Sequence, residues 1–88
     1  MDFSTIGRSG VTQEQFAALV GVSRVTVNTW VAGKFRPRNP VRSRVGRAIK
    51  MLNDAVETGL LPVPTDNRRL AVNVVLDSIY KTLNAPEA

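Results

Sequence analysis

The stretch VTQEQFAALVGVSRVTVNTWVAGKFRPR, residues 11–38, decides the fold of this chain. Thr12, followed three residues later by Gln15, has the spacing of a capping box and marks the N-terminus of a helix. Gly21 can end that helix because glycine accepts a positive φ, and Ser23 is a favourable N-cap for a second helix. The sequence therefore predicts two short helices joined by a tight turn.

The second helix of this pair has two chemically different sides. At 100° per residue, Val27 and Trp30 define its inner side. The opposite side carries Arg24, Val25, Asn28 and Thr29. We expect Trp30 to lock the helix into the core, and the alternative is a stacking platform for bases.

Positive charge is concentrated in residues 24–50, which contain eight Lys or Arg and no Asp or Glu, in a chain of net charge +5. Such a one-sided run in a small domain points to a polyanionic partner. The basic candidates for contacts with the DNA backbone are Lys34, Arg36, Arg38, Arg42 and Arg44. Arg47 and Lys50 lie further from the loop, where a solvated face is the simpler interpretation.

Glycine and proline divide the rest of the chain. Residues 2–8 can form a short helix with Phe3 and Ile6 inward, and Asn39 as N-cap with Pro40 next predicts a long helix up to Gly59. The last element, capped by Thr65 or Asp66, is ambiguous, because its apolar residues alternate as in a strand and also fit a helical stripe. We favour the helix, which places Asp77 and Lys81 at a stabilising i,i+4 spacing.

Five residues have the size and spacing of a helix-turn-helix framework: Gln13, Ala17, Gly21, Val27 and Trp30. In this respect residues 11–40 resemble the lambda-repressor/Cro-like (XRE-type) helix-turn-helix family. The resemblance implies a small all-α domain of about five helices. It would span residues 1–88, with the helix-turn-helix core at 11–33, a basic loop at 34–40 and a dimerisation element at 66–84.

The same resemblance implies roles for single residues. The four candidates for contact with base edges would be Arg24, Val25, Asn28 and Thr29, because arginine pairs with guanine, asparagine pairs with adenine, and methyl groups contact thymine. Gln13 would touch a DNA phosphate, and Ser23 at the start of the next helix is a further candidate for a backbone contact. A basic residue of the loop would enter the minor groove, for which Arg38 is the better candidate, with a plain phosphate contact as the alternative.

The composition excludes several function classes. The chain has no cysteine and no histidine, so a disulfide framework, a zinc-thiolate site and the commonest general base are ruled out. We expect no enzyme activity, no metal, no cofactor and no small-molecule ligand. The N-terminus lacks the pattern of a signal peptide and no apolar run reaches membrane-spanning length, which predicts a cytoplasmic, nucleoid-associated protein.

The expected function is a sequence-specific transcriptional regulator that binds double-stranded DNA, as a repressor or autoregulator of phage or mobile-element type. Alternatives are an accessory or antitoxin-like DNA-binding protein, or a basic module that binds RNA or protein with the same scaffold. We expect a homodimer on a palindromic operator, with a monomer as the alternative. The candidate interface residues are Leu70, Val72, Val74, Val75, Leu76, Ile79 and Leu83.

Overall fold

The computed structural model describes residues 2–61 and 68–84, with the side chains of residues 68–71 excepted. It contains five helices, which are α1 (Ser4–Arg8), α2 (Gln13–Val20), α3 (Arg24–Val31), α4 (Val41–Glu57) and α5 (Arg68–Asn84). The described ranges contain no strand, so the all-α prediction is confirmed and the strand alternative for the last element is wrong. None of the described helices is both long and apolar enough to cross a membrane.

The first helix is short and is fixed at both ends by polar groups. Asp2 Oδ1 accepts hydrogen bonds from the hydroxyl of Ser4 at 2.6 Å and from its backbone N–H at 3.0 Å, and these bonds lower the pKa of Asp2. Ser9, which is fully buried, donates its hydroxyl to the carbonyl of Ile6 at 2.8 Å. As predicted, Ile6 is buried, and Phe3 packs on Trp30 with ring centroids 6.0 Å apart.

The turn between α2 and α3 follows the capping signals in the sequence. The capping box is complete, since Gln15 N–H donates to Thr12 Oγ1 at 3.0 Å and Thr12 N–H donates to Gln15 Oε1 at 2.9 Å. Gly21 has a φ of 78° and donates its N–H to the carbonyl of Ala17 at 2.9 Å. Ser23 Oγ accepts the N–H of Thr26 at 3.2 Å and so begins α3.

The hydrophobic core is built around α4. Val45, Ala48 and Leu52 on this helix are completely buried, and they pack in one cluster with Phe16 of α2 and Val27 of α3. Because α3 contributes only Val27 and Trp30 to this cluster, the rest of its surface stays available. The core therefore fixes which side of α3 faces outward.

The N-terminus of α4 differs from the predicted one. Pro40 occupies the N-cap position and the helix begins at Val41, with no side-chain cap. An N-cap at Asn39 would have accepted the N–H of Arg42, but that group donates to the carbonyl of Arg38 at 2.9 Å. Because the N–H of Arg42 is already bonded to a backbone carbonyl, the side chain of Asn39 does not cap the helix. Asn39 is an exposed loop residue.

The last helix covers the core with part of its apolar surface. Val72, Ile79 and Leu83 are buried in the chain's own core, and the predicted ion pair between Asp77 and Lys81 is present at 3.1 Å. The interface prediction therefore requires a correction, because three of its residues have no surface left for a partner. The predicted cap at residues 65–66 lies outside the described residues.

Candidate nucleic-acid interface

The outward side of α3, which carries the candidates Arg24, Val25, Asn28 and Thr29 and which we call the recognition face, is determined by the way the helix is anchored. Val27 is completely buried and Trp30 is 7% exposed, so both side chains hold the helix against the core. The indole of Trp30 has Phe3 at 6.0 Å and no free face for a base. The prediction of an anchoring role for Trp30 agrees with this burial, whereas the base-stacking alternative does not.

The structure brings all four candidate base-reading residues onto two turns of α3. Arg24 and Asn28 are exposed, and Val25 is 68% exposed although it is apolar. Thr29 is half-buried, and its hydroxyl donates to the carbonyl of Thr26 at 2.6 Å. Because the hydroxyl proton is donated to the backbone, Thr29 can present its methyl group and an acceptor oxygen, but no hydroxyl donor, to a partner. The face thus combines two polar residues with apolar groups of the size of a thymine methyl.

A Schellman turn ends α3 and determines the direction in which the following loop leaves the helix. Gly33, with a φ of 75°, donates its N–H to the carbonyl of Trp30 at 3.1 Å, and Lys34 donates its N–H to the carbonyl of Thr29 at 3.0 Å. Lys34 and Arg36 are exposed, whereas Pro37 is buried. The loop is therefore held at both ends, by the turn and by the proline, with its cations directed outward.

Two clefts lie near the loop and the start of α4, and Arg42 lines both of them. The first has a volume of about 560 Å³, and Arg36 and Arg42 line it together with the rings of Phe3, Trp30 and Phe35. Arg42 also lines a shallow groove along α4 that contains Arg47 and Lys50. We refer to these four cations as the basic surface: Arg36, Arg42, Arg47 and Lys50.

The sequence analysis assigned Arg47 and Lys50 to a solvated face because they lie far along α4 from the loop. Both are exposed, and the structure places them with Arg42 along one groove. Lys50 follows Arg42 by eight residues, which brings a helical residue back to within about 80° of the same side. The eight-residue spacing is the feature of the sequence that relates Lys50 to Arg42.

Arg44 lies on a different side of α4 from Arg42. It lies 200° around α4 from Arg42 and is half-buried, and its Nη2 donates to Asn84 Oδ1 of α5 at 2.8 Å. Its Nε is buried with no hydrogen-bond partner among the described residues. Since this guanidinium is engaged at the C-terminal end of α5, the predicted DNA contact of Arg44 is not supported.

The remaining backbone candidates lie around the recognition face. Gln13 is the first residue of α2, so neither its N–H nor that of Glu14 can reach an intrahelical carbonyl. Ser23 and Arg38 are exposed, Ser23 at the start of α3 and Arg38 at the end of the loop. Their contacts with DNA remain predictions.

Part of the predicted dimerisation surface remains on the outside of α5. Val74 is 71% exposed, and Val75 and Leu76 are half-buried. Tyr80, which the sequence analysis did not include, is exposed beside Leu76 in one groove of α5. The side chain of Leu70 lies outside the described residues.

Comparison with known families identifies this arrangement. The model of a helix-turn-helix family matches residues 7–41, a range that contains α2, the turn, α3 and the basic loop. The resemblance to the lambda-repressor/Cro-like type is thereby confirmed. This is a family of DNA-binding regulatory domains and not of enzymes, and the match indicates double-stranded DNA as the partner. Comparisons with curated proteins and with solved structures give no match.

Proposed function

We propose that this protein is a sequence-specific regulator that binds an operator in double-stranded DNA, as a repressor or autoregulator of phage or mobile-element type. The observation that carries the proposal is the outward face of α3. Arg24 and Asn28, the two residue types best suited to guanine and adenine, are exposed on it beside Val25. Lys34 follows α3 directly, and Arg36 and Arg42 line a cleft together with Trp30 at the end of this helix.

The proposed docking follows from the order of these features along the chain. A recognition helix enters the major groove with its N-terminal residues nearest the bases, which places Arg24 and Asn28 on base edges. Lys34 and the basic surface then neutralise phosphates beside the groove, and the free N–H groups at the start of α2 bind another phosphate. In this arrangement the contacts with bases determine which DNA sequence is bound, and the contacts with phosphates fix the position of the protein along the duplex.

Selection of bound sequences from random duplex DNA tests this proposal directly. We expect one preferred motif that contains a G·C and an A·T pair at the positions read by Arg24 and Asn28. The double variant Arg24→Ala/Asn28→Ala should still bind DNA, through its phosphate contacts, but select no motif at those positions. Enrichment of the same motif by this variant would show that α3 does not read the bases.

Two further measurements separate the regulatory role from its alternatives. A footprint on the protein's own promoter, together with repression of a reporter gene, distinguishes a regulator from an accessory or antitoxin-like protein. Competition between duplex DNA and structured RNA for the protein separates DNA binding from an RNA-binding use of the same scaffold. Preference for the RNA would overturn the proposal.

The proposal includes a homodimer on a palindromic operator. The exposed apolar residues of α5, Val74 and Tyr80, support it because the core leaves them uncovered, and the half-buried Val75 and Leu76 lie at the edges of the side that packs on the core. A two-fold axis through this surface would present two copies of α3 to half-sites about 34 Å apart.

A further inference from the structure

Gly46 lies inside α4, where glycine is unfavourable. After proline, glycine is the residue that destabilises the interior of a helix most, because its backbone loses the most conformational freedom on folding. Four other glycines have a positive φ, between 74° and 82°, which favours glycine over other residues: Gly10, Gly21, Gly33 and Gly59. Gly46 is not among them, and α4 continues through it. Backbone conformation therefore gives no reason for a glycine at this position.

The missing side chain leaves a gap in a row of cations. Arg42, Gly46 and Lys50 follow one another at intervals of four residues, so the glycine lies about 6 Å along the helix axis from each cation. A group that enters the gap therefore has a long basic side chain on either side. All three residues line the shallow groove along α4, which we call the α4 groove and which is lined by Asn39, Arg42, Ser43, Gly46, Arg47 and Lys50.

The α4 groove has no acidic residue of its own. Its three cations, Arg42, Arg47 and Lys50, are exposed, and the first acid after them in the sequence is Asp54, about one turn beyond Lys50. Both ion pairs formed by the described residues lie elsewhere, one at α1 and one within α5. Charge complementarity therefore favours an anion in this groove. Because the groove is shallow and does not enclose a ligand, we assign the anion to an extended polyanion rather than to a small molecule.

The α4 groove is connected to the recognition helix through Arg42. This residue also lines the cleft that contains Trp30 of α3 and Arg36 of the loop. The cleft and the α4 groove thus meet at one cation. The backbone of a duplex that contacts the loop beside α3 can reach Gly46 by passing this residue.

We propose that a phosphate of the bound duplex lies against Gly46 in the α4 groove, held between Arg42 and Lys50. The inference rests on the proposed DNA-binding function and adds to it a positioning residue that carries no charge. Glycine permits a close approach between the protein backbone and a ligand, which the methyl group of an alanine would prevent. Charge-assisted contacts depend on short distances, so the absent side chain strengthens the contact with DNA while it weakens the helix.

Gly46→Ala in the full chain tests this inference, because stability and DNA binding should change in opposite directions. Urea unfolding should show a higher midpoint than in the wild type, since alanine favours the helix. Binding to a duplex should weaken about five- to fifty-fold, the effect of displacing one charge-assisted contact. The loss should be the same for the selected motif and for a duplex of unrelated sequence, because a phosphate contact carries no sequence information.

Gly7→Ala is the matched control. Gly7 also lies within a helix, α1, and a Cβ added there would meet no heavy atom within 4 Å. This variant should likewise raise the urea midpoint, but it should leave DNA binding unchanged because α1 carries none of the proposed DNA contacts. Gly46→Leu has a larger side chain that is still favourable in a helix, so it should weaken binding further than Gly46→Ala.

A double-mutant cycle measures whether Gly46 acts through the two cations beside it. In a background that lacks both, Arg42→Ala/Lys50→Ala, the change Gly46→Ala should weaken binding by less than about threefold, since the contact it disturbs is already lost. In a Lys81→Ala background, which lacks an exposed cation of α5, its effect should keep its full size. Equal effects in the two backgrounds would overturn the shared contact.

The outcomes separate this inference from the proposed function. A lower urea midpoint for Gly46→Ala would show that the glycine serves packing within the fold, and the inference would be wrong. Unchanged binding by a stabilised Gly46→Ala would also overturn it, and would leave the regulatory function intact if a motif is still selected. If no motif is selected but Gly46→Ala weakens duplex binding, the phosphate contact stands and sequence-specific regulation is wrong.

Discussion

Arg24 carries the residue-scale test of the recognition face, because it is exposed at the first position of α3. We expect Arg24→Ala to weaken specific binding by about 1–3 kcal/mol and to relax the preference at one G·C pair. Lys81→Ala is the control, since it removes an exposed cation from α5 on a different part of the fold. A binding titration against the motif and its single-base variants measures both effects. Equal losses for the two variants would mean that Arg24 contributes charge alone.

Arg42 and Arg44 form a matched pair, because they lie two residues apart on α4 with opposite orientations. Arg42→Ala should reduce the slope of log K against log salt by about 0.9, the value for one phosphate contact. Arg44→Ala should leave this slope unchanged and instead lower the free energy of unfolding, because it removes the hydrogen bond to Asn84. Binding measured over a range of salt concentrations, with urea unfolding in parallel, gives both numbers. A reduced salt slope for Arg44→Ala would place that residue on the DNA.

The placement of single residues could be predicted where it depends on local chemistry and not where it depends on packing between distant elements. The outward position of Arg24, Val25 and Asn28 follows from the period of one helix, and the burial of Trp30 follows from the same period. The orientation of Arg44 depends on Asn84, forty residues away in the chain, and no local pattern contains that contact.

At the scale of elements, the turn between α2 and α3 depends on the backbone conformation of Gly21. A Cβ added at Gly21 or at Gly7 would meet no heavy atom within 4 Å, so steric contact plays no part at either site. Gly21 has a φ of 78°, whereas Gly7 lies within α1. Gly21→Ala should therefore cost about 1–2 kcal/mol of stability, because left-handed backbone is unfavourable for alanine. Gly7→Ala should gain up to about 1 kcal/mol from helix propensity.

Urea unfolding of the two glycine variants and the wild type measures whether Gly21→Ala lowers the free energy of unfolding while Gly7→Ala raises it. The two changes add the same methyl group in open space, so each is the control for the other. Destabilisation of similar size in both would show that the turn does not depend on the positive φ.

The elements themselves were largely predictable because capping residues and apolar periodicity agree for α2, α3 and most of α4. The first residue of α4 was misplaced because a backbone bond to Arg38 replaces the side-chain cap that Asn39 could have supplied. The character of α5 could be argued only from its longer helical stripe and its i,i+4 charge pair. Which of its sides faces inward depends on α4 and was not accessible from its own pattern.

At the scale of the whole molecule, the proposed dimer can be tested without disturbing the fold. Val74 is 71% exposed, so Val74→Asp should leave the monomer folded while it removes apolar area from the interface. Light scattering should find a dimer for the wild type and a monomer for the variant, with weaker binding to a palindromic site. Thr82→Asp adds the same charge at another exposed position of α5 and should remain dimeric.

The choice of Val74 matters, because α5 also carries residues that would give a misleading answer. Ile79→Asp would bury a carboxylate in the core and should unfold the chain, whatever its oligomeric state. A wild type that stays monomeric at micromolar concentration, with and without DNA, would contradict the dimer.

The recognition helix α3 has only eight residues, and this length limits what can be done with it outside the protein. Eight helical residues extend about 12 Å, and isolated helices of this size are not stable in water. A synthetic peptide with the sequence of residues 24–31 should therefore be unstructured and should not bind the operator. Transplanting the specificity into another scaffold would require moving α2, the turn and the apolar contacts of Trp30 together with the reading residues, so the smallest transferable part is the helix pair and its support.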